Sequence, residues 1–166
     1  MRQRLVFKMF LPLDPEEILD RLNLQPDMIA ADFGSGHGIF AIPLAKKLNR
    51  GLVYAVDVQK QPLSILKNNA ISTGLGNVHI INSDLEKKRG SGLSDDSVDL
   101  LLLINTLFQS EEKEAIIKEA KRVLKEKGKL VVVDAYPFRK DVEECGFLPK
   151  LRFNAGNGEG IVFEKT

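Results

Sequence analysis

The sequence contains no tryptophan, one cysteine and two histidines, and its 24 basic and 23 acidic side chains leave a formal net charge of +1. Each shortage removes a class of explanation. A single cysteine, Cys145, excludes an intrachain disulfide and any metal site built from cysteines of one chain. It stands just before Gly146 at an ordinary helix end and reads as a packed, inert thiol. His37 and His79 lie far apart, and neither has a carboxylate at metal-ligand spacing beside it, so no metal is expected. The balanced charge gives no bulk electrostatic footprint for nucleic acid. Long apolar runs are lacking too. The N-terminal candidate, Leu5 to Leu13, is broken by Lys8 and Pro12, is too short to span a bilayer and is followed by no small-residue cleavage site. A cytoplasmic protein without a membrane partner is expected. There are no repeats, and the one linker-like stretch, Arg89 to Asp96, reads as a loop inside a domain.

What is present is a regular alternation of short apolar runs and amphipathic segments. Asp14 is placed to cap a helix that has Pro15 at its first position. Strands are expected at Met28–Phe33, Leu52–Val56, Val78–Ile81, Val98–Ile104 and Gly128–Val133, the fourth being the most apolar and therefore central. Helices are expected from Ile39 to about Asn49, from Gln61 to Thr73 and from Glu111 to Glu126, with a short one near Asp141–Cys145. Such alternation predicts a parallel sheet covered by helices on both faces, a three-layer α/β/α architecture. The tail departs from it. Lys150–Phe153 and Gly160–Glu164 flank a turn rich in glycine and asparagine, so the last strand is expected to run antiparallel. Length fits a single domain over 1–166, with residues 1–26 as an N-terminal cap segment and helix.

One stretch concentrates the chemistry: Ala31-Asp32-Phe33-Gly34-Ser35-Gly36-His37-Gly38. Three alternating glycines in a strand-to-helix turn need a reason stronger than a change of direction, and close approach of a ligand to converging backbone N–H groups supplies one. A dinucleotide fingerprint would place its third glycine one position later, where Ile39 stands. No Gly-Lys-Ser/Thr follows, which excludes a P-loop. Asp32, two residues ahead of the first glycine, disfavours a phosphate there and favours a ligand with a cationic group facing the turn.

This stretch resembles motif I, D/E-x-G-x-G-x-G, of the class I S-adenosylmethionine-dependent methyltransferases, and the resemblance runs along nearly the whole chain. Asp57 matches that family's ribose-binding acid, and Val58 beside it is placed for the adenine face. Asp84, in Asn82-Ser83-Asp84-Leu85, matches its adenine-contacting acid, with the Leu85 N–H for a ring nitrogen. Leu124 to Asp134 is similar to the L-K-P-G-G-x-L-V-V motif, with Glu126 and Lys127 in place of proline and glycine. The terminal hairpin is similar to the reversed last strand of that fold, which implies seven strands, mostly parallel. The resemblance implies S-adenosyl-L-methionine as cofactor, held by Asp32, Gly34, Ser35, Gly36, Gly38, Asp57, Val58, Asp84, Leu85 and Asn105.

Methyl transfer from a sulfonium needs alignment and exclusion of water more than a catalytic base. The catalytic candidates are His37, as a general base, Asn105, which the resemblance places at the methionine end, and Tyr136, all in loops at the carboxyl ends of the strands; Phe108 and Arg139 stand in the same loops, toward the acceptor. No Asn-Pro-Pro-aromatic signature follows the fourth strand, and the length leaves little room for a substrate domain, so a small-molecule acceptor is expected rather than nucleic acid. Met1 to Leu13 could serve as a lid carrying Arg2, Arg4 and Lys8, or as the contact of a homodimer. An NAD(P)-binding oxidoreductase and a non-catalytic S-adenosylmethionine-binding module remain the alternatives.

Overall fold

A computed structural model describes residues 13–156 and 158–166. The lid and dimer expectations for the first twelve residues lie outside it. A seven-stranded sheet runs through the molecule in the order β3-β2-β1-β4-β5-β7-β6. Its strands are β1 (Ile29–Phe33), β2 (Leu52–Asp57), β3 (Val78–Asn82), β4 (Val98–Ile104), β5 (Leu124–Val133), β6 (Phe147–Ala155) and β7 (Gly158–Lys165). The first five pair in parallel, and β7 runs antiparallel to both β5 and β6. This is the α/β sheet expected, with β4 at its centre.

Among the described residues, five helices cover it: α1 (Pro15–Asp20), α2 (Ala41–Lys47), α3 (Lys60–Ser72), α4 (Lys113–Val123) and α5 (Arg139–Glu144). Side chains alternate along each strand, so Leu101 and Leu103 join α4 and α5 in one core cluster while Leu100 and Leu102 join α1, α2 and α3 in the other. Burying each such leucine is worth ~1.5–3 kcal/mol, which makes β4 the anchor of both layers. Asp14 accepts hydrogen bonds from the Glu16 and Glu17 N–H groups, capping α1 with Pro15 in its first turn.

Several boundaries differ from the sequence expectation, three of them around the glycine turn and the start of β5. Helix α2 begins at Ala41 rather than Ile39, because Gly38 to Phe40 close a turn whose carbonyls accept from Ile42 and Leu44. Helix α4 ends at Val123, and β5 starts at Leu124 rather than Gly128. The β4–β5 register jumps there: Val98 pairs with Leu124 and Leu100 with Lys129, leaving the intervening residues as a bulge. Lys127 has φ +60° in that bulge, at the position where the methyltransferase motif carries glycine. Cys145 is half-buried, and burial pushes its thiol pKa up, as suits a packed side chain. His79 is exposed on edge strand β3, its ring edge-on to Tyr54.

Candidate functional site

Strand β1 is flanked by β2 on one side and β4 on the other, and the crevice beyond its carboxyl end is where an open α/β sheet binds ligands. Two cavities meet there, of about 300 and 190 Å³, sharing Gly34, Asp57, Gln59 and Gln109 in their walls. The first lies over the glycine turn, beside Asp32, Ser35, Gly36, His37 and Asn105. The second lies between the ends of β2 and β3, beside Val58, Asp84 and Leu85. The structure therefore brings together Asp32, Gly34, Ser35, Gly36, Asp57, Val58, Asp84, Leu85 and Asn105 along one crevice.

Backbone hydrogen bonds set the turn. The N–H groups of Gly34 and Ser35 both donate to the Val56 carbonyl, at 2.8 and 3.1 Å. The Gly36 N–H donates to Asp57 Oδ2 at 2.9 Å, and the Gln59 N–H to Oδ1 at 2.8 Å. The carboxylate is thus fixed between two loops, and each oxygen retains a lone pair for a further donor. The glycines differ in what they permit. A Cβ on Gly34 would stand 2.5 Å from Thr106 Oγ1, so this residue allows the loops after β1 and β4 to touch. Gly36, at φ +52°, has no atom within 4 Å of where a Cβ would go. Its space opens into the crevice. Gly38 lines neither cavity; a Cβ there would meet Leu66 of α3 at 2.8 Å, so it serves helix packing.

The first cavity is electrostatically unfinished. Asp32 is 3% exposed, and its pKa is pushed up to about 7, chiefly by burial and then by the Asp57 charge, against one Ala41 N–H that favours the ionised form. Ser35 Oγ and Asn105 Oδ1 are buried with no hydrogen-bond partner among the described residues. Buried polar groups are nearly always paired, so two orphans beside one raised carboxyl mark a place built to receive donors and positive charge. Asn105 is also held at φ +53°, a conformation costly for most residues and tolerated best by asparagine and aspartate.

At the other end, Val58 is 61% exposed on the cavity rim. Asn82 Nδ2 donates to the carbonyls of Asp57 and Val58, at 3.0 and 2.9 Å, and so fixes their loop. Asp84 Oδ1 accepts from the Glu86 N–H at 3.0 Å. His37 is exposed at the mouth of the first cavity. Tyr136 is elsewhere: its hydroxyl donates to Asp141 at 2.6 Å, its ring faces Lys113 Nζ at 5.0 Å, and it borders a separate hollow with Pro137 and Arg139. Other residues complete the walls, Gln59 and Pro62 without any signal in the sequence. Thr106 donates through Oγ1 to the Phe33 carbonyl at 2.9 Å, and Gln59, Pro62 and Gln109 line the crevice. Asp134, at the end of β5, accepts from the Leu107, Phe108 and Tyr136 N–H groups and holds the loop after β4 in place. A carboxylate directly after a buried strand was the available signal for it.

A mostly parallel sheet with its last strand reversed, a glycine turn after β1 and acids after β2 and β3 define a class I S-adenosylmethionine-dependent methyltransferase. A family model for a methyltransferase domain matches residues 24–151, and the chain belongs to that family. It is similar to a probable cobalt-precorrin-6B C(15)-methyltransferase (decarboxylating) of Methanosarcina acetivorans, 29% identical over 143 residues that cover 84% of this chain and 74% of the relative. It is also similar to an arsenite methyltransferase of Aquipseudomonas alcaligenes, 30% identical over 68% of this chain but only 34% of that protein. Among solved structures, a SAM-dependent methyltransferase from Aquifex aeolicus superimposes with a TM-score of 0.83 at 25% identity, covering 93% of this chain and 90% of the other. Among the described residues no helix is long and apolar enough to cross a membrane, and no cluster of His, Cys, Asp or Glu could hold a metal ion.

Proposed function

We propose that the chain, as one domain over residues 1–166, transfers a methyl group from S-adenosylmethionine to a small-molecule acceptor in the cytoplasm. The observation that carries this reading is the crevice itself, with Asp57 between its two cavities and the unpartnered Ser35 Oγ and Asn105 Oδ1 beside Asp32 at one end. The residues present fit the cofactor. Asp32, with the unpartnered Asn105 Oδ1, forms the end suited to an ammonium, and the unpartnered Ser35 hydroxyl can donate to a carboxylate. Asp57 retains acceptor capacity for a ribose diol. Val58 offers an apolar surface, and Asp84 and the Leu85 N–H offer an acceptor and a donor, for a purine. When bound, the cofactor supplies an activated methyl group on a positively charged sulfur.

The protein's own contribution is then positional. Asp57 and the glycine turn fix the ligand against the sheet, Asn105 orients a group at the methionine end, and buried Phe40 and Ile104 keep water from that part of the wall. His37 borders the mouth, where it can pass a released proton to solvent. Tyr136 is assigned no part in the transfer. Support for a small acceptor comes from the relatives named for precorrin and arsenite methylation.

Calorimetry with S-adenosylmethionine, S-adenosylhomocysteine and NADH tests the cofactor; preference for NADH would overturn the reading. Incubation with methyl-labelled S-adenosylmethionine and a metabolite extract tests the acceptor. Label should enter small molecules and should be lost with Gly36→Val, whose side chain would fill the open space above the turn. Label in protein or nucleic acid alone would overturn the acceptor class.

A further inference from the structure

A buried carboxylate stands behind the wall of the crevice, and what it holds carries an inference that rests on the methyltransferase reading. Asp134 follows β5, is 6% exposed and lines neither of the two cavities. Among the described residues no lysine or arginine pairs with it. Main-chain donors take its oxygens instead: the Leu107 N–H donates to Oδ2 at 2.8 Å, and the Phe108 and Tyr136 N–H groups donate to Oδ1 at 3.1 and 2.9 Å. Burial pushes its pKa up, and these backbone hydrogen bonds oppose the shift. A buried charge without a cation is costly, and this one is committed to fixing two loops.

The loop after β4 leads to the methionine end. Asn105 stands two residues before Leu107, with its main chain at φ +53° and its buried Oδ1 unpartnered. Its N–H donates to the Val133 carbonyl at 2.8 Å, and its carbonyl accepts from Gln109 Nε2 at 3.1 Å. The end of β5 therefore grips the loop twice, through Val133 at Asn105 and through Asp134 at Leu107 and Phe108. A left-handed asparagine is strained, and such strain persists only where the surroundings over-determine it. We propose that Asp134 is a positioning residue for the cofactor: by fixing Leu107 and Phe108 it holds Asn105 left-handed, so that Oδ1 faces the methionine end before a ligand arrives. Binding then avoids the cost of ordering that loop. The Asp134 carboxylate itself stays behind the loop and acts through Asn105.

The test uses the full chain. Calorimetry of the parent with S-adenosylhomocysteine comes first, because failure to bind removes the methyltransferase reading itself rather than this inference. Asp134→Asn keeps the shape of the side chain but replaces one acceptor oxygen by an NH2 group that cannot accept. It should raise the dissociation constant about fivefold or more. Asn105→Gly removes Oδ1 and tolerates the left-handed backbone, and it should weaken binding comparably. The double variant decides between routes: action through Asn105 requires its affinity to lie within about twofold of Asn105→Gly alone. Weakening equal to the product of the two single effects, or an unchanged dissociation constant for Asp134→Asn, overturns the assignment. A measurement on the parent stands even where a variant fails to fold. The NMR signals of the Asn105 side-chain amide should shift when S-adenosylhomocysteine is added, and a folded Asp134→Asn should lose most of that shift. No shift in the parent, or an equal shift in both proteins, would remove Asp134 as the residue that aims Asn105.

Discussion

Two buried polar regions of this molecule are built on opposite rules. On the outer side of the sheet, Glu119 of α4 is 5% exposed, and its carboxylate is saturated: it accepts from the Ser91 N–H at 3.0 Å, from Ser91 Oγ at 2.5 Å and from Arg122 Nη2 and Nε at 2.6 and 2.9 Å. Arg122 goes on to the Leu93 carbonyl and to Asp95, tying down the loop that reads as a linker in the sequence. Burial works against ionisation of Glu119, and the Arg122 and Ser91 hydrogen bonds outweigh it, holding its pKa below the usual range. In the crevice the same kind of side chain is left wanting: Asp32 has its pKa raised, and Ser35 and Asn105 each bury an unpartnered oxygen. The difference teaches which region folds the protein and which waits for a ligand. A network completed within the chain contributes to stability; one left incomplete costs stability until something binds.

The contrast is broken most forcefully by Glu119→Ala. It leaves the Arg122 guanidinium, with 18% of its side chain exposed, without its principal partner and frees the Ser91 loop. Removing one member of a buried ion pair costs about 3 kcal/mol. Urea denaturation should show that loss with S-adenosylhomocysteine affinity little changed, since none of these residues lines the crevice. A variant as stable as the parent would mean that the buttress is ornamental.

Asp57→Ala acts in the other direction. It should weaken cofactor binding by ~1.5–3 kcal/mol through lost charge-assisted hydrogen bonds, read as a dissociation constant by calorimetry. Some stability will follow, because the Gly36 and Gln59 N–H groups lose their acceptor. An unchanged dissociation constant would take Asp57 out of the binding set.

How much of this was legible beforehand depends on the kind of signal. The alternation of strands and helices, the centrality of Val98–Ile104 and the reversed β7 follow from period and turn chemistry, which are local properties of sequence. The acids Asp32, Asp57 and Asp84 were legible through the resemblance to the methyltransferase motifs, which sets them at or just beyond the carboxyl ends of β1, β2 and β3. The saturation of Glu119 was not legible: Ser91 lies 28 positions away, and only folding shows that they meet. The bulge at Lys125–Gly128 was missed because charged residues after an amphipathic helix read as more helix. Thr106 and Gln109 were legible only as members of the loop after β4, because their individual contacts come from packing against Gly34 and Asn105 rather than from any spacing of their own.

Smaller, and specific to the crevice, is a pH effect. Asp32 titrates at about 7 in the folded protein against 3.8 for an unperturbed group. Between those values the folded state holds a proton that the unfolded chain has released. The stability this confers is full below the lower value and is lost as pH rises through the upper, at up to about 1.4 kcal/mol per pH unit. Asp32→Asn should flatten the dependence of urea midpoints on pH across that window. Affinity for S-adenosylhomocysteine should move oppositely, strengthening toward pH 7 as Asp32 ionises and can meet an ammonium. Identical pH profiles for the parent and Asp32→Asn would overturn this account.

The finest test sets two serines against each other. Ser91 is fully buried and completed, its hydroxyl donating to Glu119 and accepting from the Leu93 N–H at 3.2 Å. Ser35 is 7% exposed and its hydroxyl has no partner among the described residues. Both change to alanine by loss of one oxygen, so volume and helix propensity are matched and only satisfaction differs. Ser91→Ala should cost about 1–2 kcal/mol, because the Glu119 carboxylate loses a donor that no water can replace at a buried position. Ser35→Ala removes a desolvated group that gained nothing in return, so stability should stay within about 0.5 kcal/mol of the parent or rise slightly. Its effect belongs to binding instead: cofactor affinity should fall by about three- to tenfold if the hydroxyl finds its partner on the ligand. Paired urea titrations and calorimetry on the two variants read both halves. Equal destabilisation by the two substitutions, with no change in binding for Ser35→Ala, would show that the unpartnered oxygen in the crevice is no more reserved for a ligand than the completed one beneath α4.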